Sequence, residues 1–96
     1  MIDYDLMVQN ESMEDVILFL VSRGDNGVAY PSMDRFFGRH KADEKYDSYN
    51  IKLIEETKKL EGIGQIFSAR TYGSGYKKGP NWKAPVFVTE KKYGIE

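Results

Sequence analysis

Apolar residues recur at helical spacing near the start of the chain. One stripe follows the i, i+3, i+4, i+7 and i+8 positions of a helix: Met13, Val16, Ile17, Leu20 and Val21. Ser12 precedes the stripe as a good N-cap residue, and Asp15 follows three residues later, as in a variant of the capping box. Gly24 suits the left-handed residue that ends many helices. The pattern predicts a helix over about residues 13–23.

A turn and a shorter apolar pattern come next. Asp25-Asn26-Gly27 is typical of a turn. Residues 28–30 are predicted to be extended, because Pro31 disfavours helical backbone at the residue before it. A short helix is then predicted from Pro31 or Ser32 to Gly38. Its buried face is predicted to consist of Met33, Phe36 and Phe37.

The longest periodic segment of the chain runs from Tyr46 to Glu61 and predicts its longest helix. Side chains near a helical period form the inward stripe: Tyr46, Tyr49, Leu53, Thr57 and Leu60. Ile54 widens that stripe, whereas Ile51 falls outside it. Asp43 is predicted to cap the helix and Gly62 to end it.

Two extended segments in the last third of the chain predict a β-hairpin. Ile63–Tyr72 alternates in the manner of a strand, and Pro85–Thr89 is predicted to be its antiparallel partner. The connection, Tyr72–Lys83, is rich in glycine, lysine and aromatic residues and is predicted to form a long, flexible loop. Together these elements predict an α+β fold with three helices and a C-terminal hairpin.

Two segments and the order of the elements carry a resemblance to a known family. Leu53–Ile66 leads from a helix through a glycine turn into a strand, and Val86–Gly94 is similar to a closing strand. With these features the chain resembles the winged helix-turn-helix domain family from about Ser12 to Gly94. The link Arg39–Asp43 is longer than the tight turn of that family. The resemblance implies a winged-helix fold with the hairpin as its wing, and binding of nucleic acid or another protein.

Composition allows one domain with its own core. Of the 96 residues, 41% are hydrophobic, so residues 1–96 are expected to form a single domain that buries about two-thirds of its unfolded surface. Residues 1–11 are interpreted as a short strand or a docked N-terminal arm. The chain contains no cysteine, which excludes disulfides and thiolate ligands and fits a cytoplasmic protein. Neither a signal peptide nor a membrane span is expected, because the longest apolar run is Val16–Val21.

Charge is divided unequally between two parts of the chain. Residues 1–61 carry eight Lys and Arg against thirteen Asp and Glu, a balance of −5, whereas residues 62–96 carry six against two, a balance of +4. An anionic partner is therefore expected at the C-terminal hairpin, and a basic protein partner at the acidic part. The alternative is two solvated faces of a nearly neutral domain.

Candidate nucleic-acid-binding residues lie near the predicted recognition helix and on the predicted wing. They are Lys45, Ser48, Asn50, Lys52, Lys77, Lys78 and Lys83. The first four would meet the major groove, where base edges are read through hydrogen bonds, and the other three would neutralise phosphates. Tyr72, Tyr76 and Trp82 suit stacking on bases, although Trp82 alternatively folds back on the domain. Carboxylates on the same helix, among them Glu55 and Glu56, oppose DNA phosphates.

The sequence offers little for catalysis or metal binding. His40 is the only histidine and is interpreted as a surface residue in a turn. A zinc site needs several His or Cys ligands, and no nucleophile–base pair is visible. We therefore expect no metal, no cofactor and no enzymatic activity.

Two functions of different classes are considered, of which the first is favoured and the second is the alternative. One is a small DNA-binding protein, a transcriptional regulator that acts as a homodimer on two half-sites of duplex DNA. The other is an immunity protein or antitoxin that binds and blocks a basic nuclease toxin through electrostatic and steric occlusion.

Overall fold

Helices pack with a small antiparallel hairpin in this domain, which confirms the predicted α+β class; the predicted count of three helices is not confirmed, and a helix follows the hairpin. The computed structural model describes residues 1–24, 26–68 and 75–96. Five α-helices lie within these ranges: α1 Tyr4–Asn10, α2 Met13–Val21, α3 Tyr30–Arg39, α4 Tyr49–Gly62 and α5 Val86–Thr89. The two strands are β1 Ile66–Ser68 and β2 Tyr76–Lys78, and short 3-10 turns occupy Ala42–Glu44 and Lys92–Gly94.

The first predicted helix is confirmed as α2. The Ser12 hydroxyl accepts a hydrogen bond from the Asp15 backbone N–H at 3.2 Å, as its capping role requires. Four residues of the predicted stripe are buried: Met13, Val16, Ile17 and Val21. The helix ends at Val21 with Ser22 in a right-handed conformation, so Gly24 is not its left-handed end residue.

Residues 1–11, for which a strand or a docked arm is predicted, contain the helix α1. The Asp3 carboxylate accepts a hydrogen bond from the Leu6 backbone N–H at 3.0 Å and so caps the helix. Met7 and Val8 are buried against the core. The strand prediction is wrong. Asp3 caps a short helix here, and that helix buries two adjacent side chains against the core.

The segment before α3 supplies one residue to the hairpin. Val28 and Tyr76 exchange both backbone hydrogen bonds, at 2.9 and 2.7 Å, in an antiparallel bridge. A side chain at Gly75 would overlap the Val28 carbonyl oxygen, so this approach requires glycine. α3 itself begins at Tyr30, slightly earlier than predicted, and its buried residues are Met33 and Phe37.

The longest helix, α4, starts later than predicted. Ala42–Glu44 forms a separate 3-10 turn, so Ser48, rather than Asp43, stands at the N-cap position. Leu53, Thr57 and Leu60 form the buried stripe, as predicted. Ile54, however, is 44% exposed and does not belong to it.

The hairpin pairs different strands from those predicted. β1 pairs with β2, in the register Ile66↔Lys78, Phe67↔Lys77 and Ser68↔Tyr76. The predicted partner strand Pro85–Thr89 is wrong, because residues 86–89 form the helix α5. An apolar run this short does not distinguish a strand from a helix by its period. A helical turn here buries the Phe87 ring 5.8 Å from that of Phe19.

Some predicted features lie outside the described residues. They are Asp25 of the predicted turn, residues 69–72 of the predicted strand, and residues 72–74 of the predicted loop, including Tyr72. The rest of the predicted loop is described. Tyr76, Lys77 and Lys78 belong to β2, so they are strand rather than loop residues.

Candidate interaction surfaces

Lys45, predicted to read a base, instead contacts the end of α1. Its ammonium group donates hydrogen bonds to the carbonyl oxygens of Val8 and Glu11, at 3.0 and 2.6 Å. These carbonyls lie at the C-terminal end of α1, where a cation satisfies free acceptors and the helix dipole. Lys45 therefore has a role in the fold, and its contact with DNA stays a prediction.

The other three predicted groove residues surround the first turns of α4. The Lys52 ammonium lies 3.6 Å from the Glu56 carboxylate and 5.4 Å from the centre of the Tyr46 ring. Ser48 and Asn50 are exposed, and the Ser48 side chain makes no capping hydrogen bond. Lys45 and Lys52 thus have partners within the domain but keep exposed surface, whereas Ser48 and Asn50 are exposed; the contacts of all four with DNA stay predictions.

The outward side of α4 carries two isoleucines together with charged residues. Ile51, Ile54, Glu55 and Lys58 follow at i, i+3, i+4 and i+7, so they share one side of the helix. Ile51 is 56% exposed and Ile54 44%. We define the α4 face as Asp47, Ile51, Ile54 and Glu55. The sequence signal for it was the position of Ile51 outside the inward stripe.

Free carboxylates are concentrated around the α4 face. Five exposed acidic residues form no ion pair with another described residue: Asp43, Glu44, Asp47, Glu55 and Glu61. By contrast, Lys52 and Lys59 are paired with carboxylates, the latter with Glu14 at 3.3 Å. The balance of unpaired charge around α4 is therefore negative, as the sequence predicts for this part of the chain.

The hairpin presents a second surface, of opposite charge. Phe67 is 44% exposed and lies directly across the strand pair from Lys77. Both line a groove of about 300 Å³ together with Lys78 and with Val21, Ser22 and Gly24 at the end of α2. We define the hairpin face as Phe67, Lys77 and Lys78. Both predicted wing lysines line this groove, but their side chains leave the strand on opposite sides. Lys77 lies across from the exposed Phe67, whereas Lys78 lies across from the buried Ile66, and its ammonium packs over the Trp82 ring.

Lys83 lies apart from the hairpin face. It lines a different groove, with Glu14, Asp15 and Leu18 of α2. Burial raises the pKa of Asp15, as do the neighbouring charges of Glu11 and Glu14, against a smaller lowering by the Ser12 hydrogen bond. Lys83 thus lines a different groove from Lys77 and Lys78, and the contacts of the three lysines with phosphates stay a prediction.

The aromatic side chains of this region are partly enclosed. The Trp82 indole N–H donates to the Leu18 carbonyl oxygen at 2.9 Å, and the Lys78 ammonium lies 4.7 Å from the centre of its ring. Trp82 is half-buried, as is Tyr76. Trp82 thus folds back on the domain, as in one of the two sequence interpretations.

His40 joins two helices instead of standing free in a turn. Its Nδ1 atom lies 2.7 Å from the Asp5 carboxylate, and its ring packs 4.6 Å from that of Phe36. His40 is half-buried at the end of α3, while Asp5 belongs to α1. Among the described residues, no group of three or more His, Cys, Asp or Glu is placed to hold a metal ion.

Comparison with known proteins adds no family to this description. No protein-family model matches the chain, and no curated protein or solved structure shows significant similarity to it. In the part of the chain that the structure describes, no helix has the length and apolar character needed to cross a membrane. The structure defines a small α+β domain with an acidic and a basic surface, each containing exposed apolar side chains.

Proposed function

We propose that this chain is a winged-helix-like binding module whose α4 face docks on a basic protein. The order α2, Val28, α3, α4, β1, β2 supports the winged-helix part. So does the antiparallel bridge of Val28 with Tyr76, which adds a third extended segment beside the hairpin. In this arrangement α4 occupies the recognition-helix position, and α1 and α5 are additions.

The single observation that carries the choice of partner is the outward side of α4. Base edges are read by hydrogen-bonding side chains, but on this side of α4 the exposed Lys58 is accompanied by Ile51, Ile54 and Glu55. Glu55 would also repel phosphates. Protein interfaces, by contrast, gain most from apolar anchors at their centre within a polar rim. The α4 face has that composition.

The charge around the α4 face selects a basic partner. The unpaired carboxylates Asp47 and Glu55 flank the two isoleucines, and Asp43 and Glu44 lie in the preceding 3-10 turn. Opposite charge accelerates association and fixes orientation, while apolar contact supplies affinity. A nuclease toxin has a basic surface where it binds phosphates. We therefore propose an immunity protein or antitoxin that blocks such a toxin by covering that surface, without catalysis.

The DNA-binding regulator is the second candidate and has one specific observation in its favour. Lys77 and Lys78 line one groove beside the exposed Phe67, which is a suitable arrangement for phosphate and base contacts. On α4 it is accompanied by the exposed Asn50 and Lys58, whereas Lys45 and Lys52 have partners within the domain. The two functions therefore predict different surfaces.

Site-specific photo-crosslinking tests the proposal in the producing cell. A photoreactive amino acid replaces Ile51, and the same amino acid at the exposed Lys91 provides the control. We expect Ile51, and not Lys91, to crosslink to one basic protein.

With that protein purified, titration calorimetry should show binding to wild type that Ile54→Asp weakens about thirtyfold. Crosslinks to nucleic acid, a partner without excess basic charge, or unchanged affinity of Ile54→Asp would each contradict the proposal.

Duplex DNA provides the parallel measurement for the second candidate. Fluorescence anisotropy with mixed-sequence duplexes is recorded at several salt concentrations, because phosphate contacts weaken steeply as salt rises. The proposal expects no tight binding at low salt. Salt-dependent binding that Lys77→Glu removes and Ile54→Asp leaves intact would favour the regulator.

A further inference from the structure

Two faces of this molecule complement each other. The α4 face exposes Ile51 and Ile54 among carboxylates, and the hairpin face exposes Phe67 beside Lys77 and Lys78. Both are exposed in the isolated chain, so neither covers the other within one molecule. Each chain therefore carries an apolar acidic surface and an apolar basic surface that stay free.

We infer that the protein self-associates head to tail, with the α4 face of one copy docked on the hairpin face of the next. The occupant is a second copy because every molecule brings both faces in equal amount. Since the two faces differ, the contact is heterologous, and repetition of it gives a closed ring or an open chain of copies. This differs from a symmetric homodimer, in which one surface meets itself.

The geometry of the hairpin groove suits the side chains of the α4 face. The groove, about 300 Å³ in volume, lies between β1–β2 and the end of α2 and has Phe67 and Val21 in its lining. An isoleucine of α4 can enter it while the flanking carboxylates meet Lys77 and Lys78. The charges then pair at the rim of the contact, and the isoleucine and Phe67 lose their exposure to water at its centre.

Self-association does not depend on the proposed function, because it needs no other protein. It does predict a consequence for that function: a basic partner and the hairpin face of a neighbouring copy would compete for the same α4 face. Docking of copies on one another would keep Ile51 and Ile54 covered until the partner displaces them. Experiments on the purified chain alone therefore separate this inference from the identity of any partner.

Charge reversal provides the test, read by sedimentation velocity over a range of protein concentrations at low and high salt. One variant carries Lys77→Glu and Lys78→Glu, and a second carries Asp47→Lys and Glu55→Lys. We expect wild type to self-associate and to dissociate as salt screens the contact. Each variant alone should associate at least about tenfold more weakly, because like charges then face each other.

A one-to-one mixture of the two variants should restore association, since each reversed face now matches a reversed face on the other variant. The matched control is Lys91→Glu with Lys92→Glu, which makes the same charge change at exposed residues away from both faces. That control should associate like wild type. Trp82 is the only tryptophan and contacts Lys78, so its emission should change with concentration in wild type.

Four results would overturn the inference. The first is a wild type that is monomeric at every concentration, and the second is a mixture of reversed variants that stays monomeric. The third is equal loss of association in the control variant. The fourth is a monomeric wild type that binds a mixed-sequence oligonucleotide through Lys77 and Lys78, which would assign the hairpin face to nucleic acid. Circular dichroism on each variant verifies that the exposed substitutions leave the fold intact.

Discussion

The α4 face and the hairpin face expose apolar side chains to a similar extent but in opposite electrostatic surroundings. Ile54 and Phe67 are equally accessible, yet carboxylates surround the first and ammonium groups the second. Exposed apolar area by itself marks a surface for contact without naming the partner. In this molecule the charge around the two faces differs in sign, and on that ground we propose different partners for them.

A second difference separates the two sides of α4 itself. Leu53 on the inner side is fully buried, whereas Ile54, the next residue, is exposed. The same helix therefore holds the core together on one side and stays available on the other. Stability and binding should accordingly respond to different substitutions one residue apart.

The largest expected effect lies on the inner side. Leu53→Ala should lower the free energy of unfolding by about 3 kcal/mol, because it removes buried methyl groups and leaves a cavity. The matched Ile54→Ala should change it by no more than about 0.5 kcal/mol, as expected for an exposed site. Urea unfolding of both variants measures the difference. Similar losses in the two variants would show that Ile54 supports the core and would remove it from the α4 face.

Binding of the basic partner should depend on the exposed Ile54, which contributes little to stability. Ile54→Asp should weaken binding of the basic partner by about 2 kcal/mol, or some thirtyfold, if Ile54 is an anchor at the centre of the contact. Phe67→Asp likewise replaces an exposed apolar residue by Asp, but on the hairpin face, and should not weaken this affinity. Titration calorimetry with the crosslinked partner compares the two. A larger loss from Phe67→Asp would transfer the partner to the hairpin face.

Local signals made the inner side of α4 predictable. Leu53, Thr57 and Leu60 recur at a helical period over several turns, and a long period of this kind has few competing interpretations. The same reasoning gave α2, where Ser12 also supplies a cap. These helices contain enough apolar residues at a helical period that one wrong assignment, such as that of Ile54, does not change the prediction of the helix.

The hairpin partner and the lysine roles were beyond the reach of local patterns. Residues 86–89 make one short helix whose identity depends on Phe87 packing against Phe19, far away in sequence. Lys45 was predicted to face DNA, but its partners are carbonyl oxygens of α1, a helix the sequence did not predict. A lysine's role depends on which acceptors the tertiary fold brings to it. The tertiary fold likewise decides which charges around α4 remain unpaired.

The C-terminal turn provides a test of how firmly the basic part of the chain is tied to the acidic part. Burial and the carboxylate of Glu11, which accepts a hydrogen bond from the Tyr93 hydroxyl, raise the pKa of Tyr93 from 10.0 to about 12. The folded state therefore favours the protonated phenol. The stabilisation of the folded state by the protonated Tyr93 hydroxyl is therefore fully present below pH 10.0 and is lost as pH rises toward about 12.

Tyr93→Phe should cost about 1.5 kcal/mol at neutral pH, since it removes a hydrogen bond to a charged acceptor. It should also remove part of the fall in stability that wild type shows in alkaline solution. Denaturant unfolding at neutral pH and at several alkaline pH values measures both effects. If the free energy of unfolding falls equally in the variant and in wild type at alkaline pH, Tyr93 does not contribute to the contact between the two parts of the chain.

The smallest expected effect decides whether Lys45 belongs to the fold or to a binding surface. Lys45→Met keeps most of the side-chain length but removes the donors to Val8 and Glu11, so the free energy of unfolding should fall by about 1 kcal/mol. Lys77→Met on the hairpin face is the matched control and should change it by less than about 0.5 kcal/mol. If Lys77→Met costs as much as Lys45→Met, the hairpin lysine also supports the fold. The positive charge of the hairpin face would then contribute to stability of the fold, and it would not by itself indicate a binding surface.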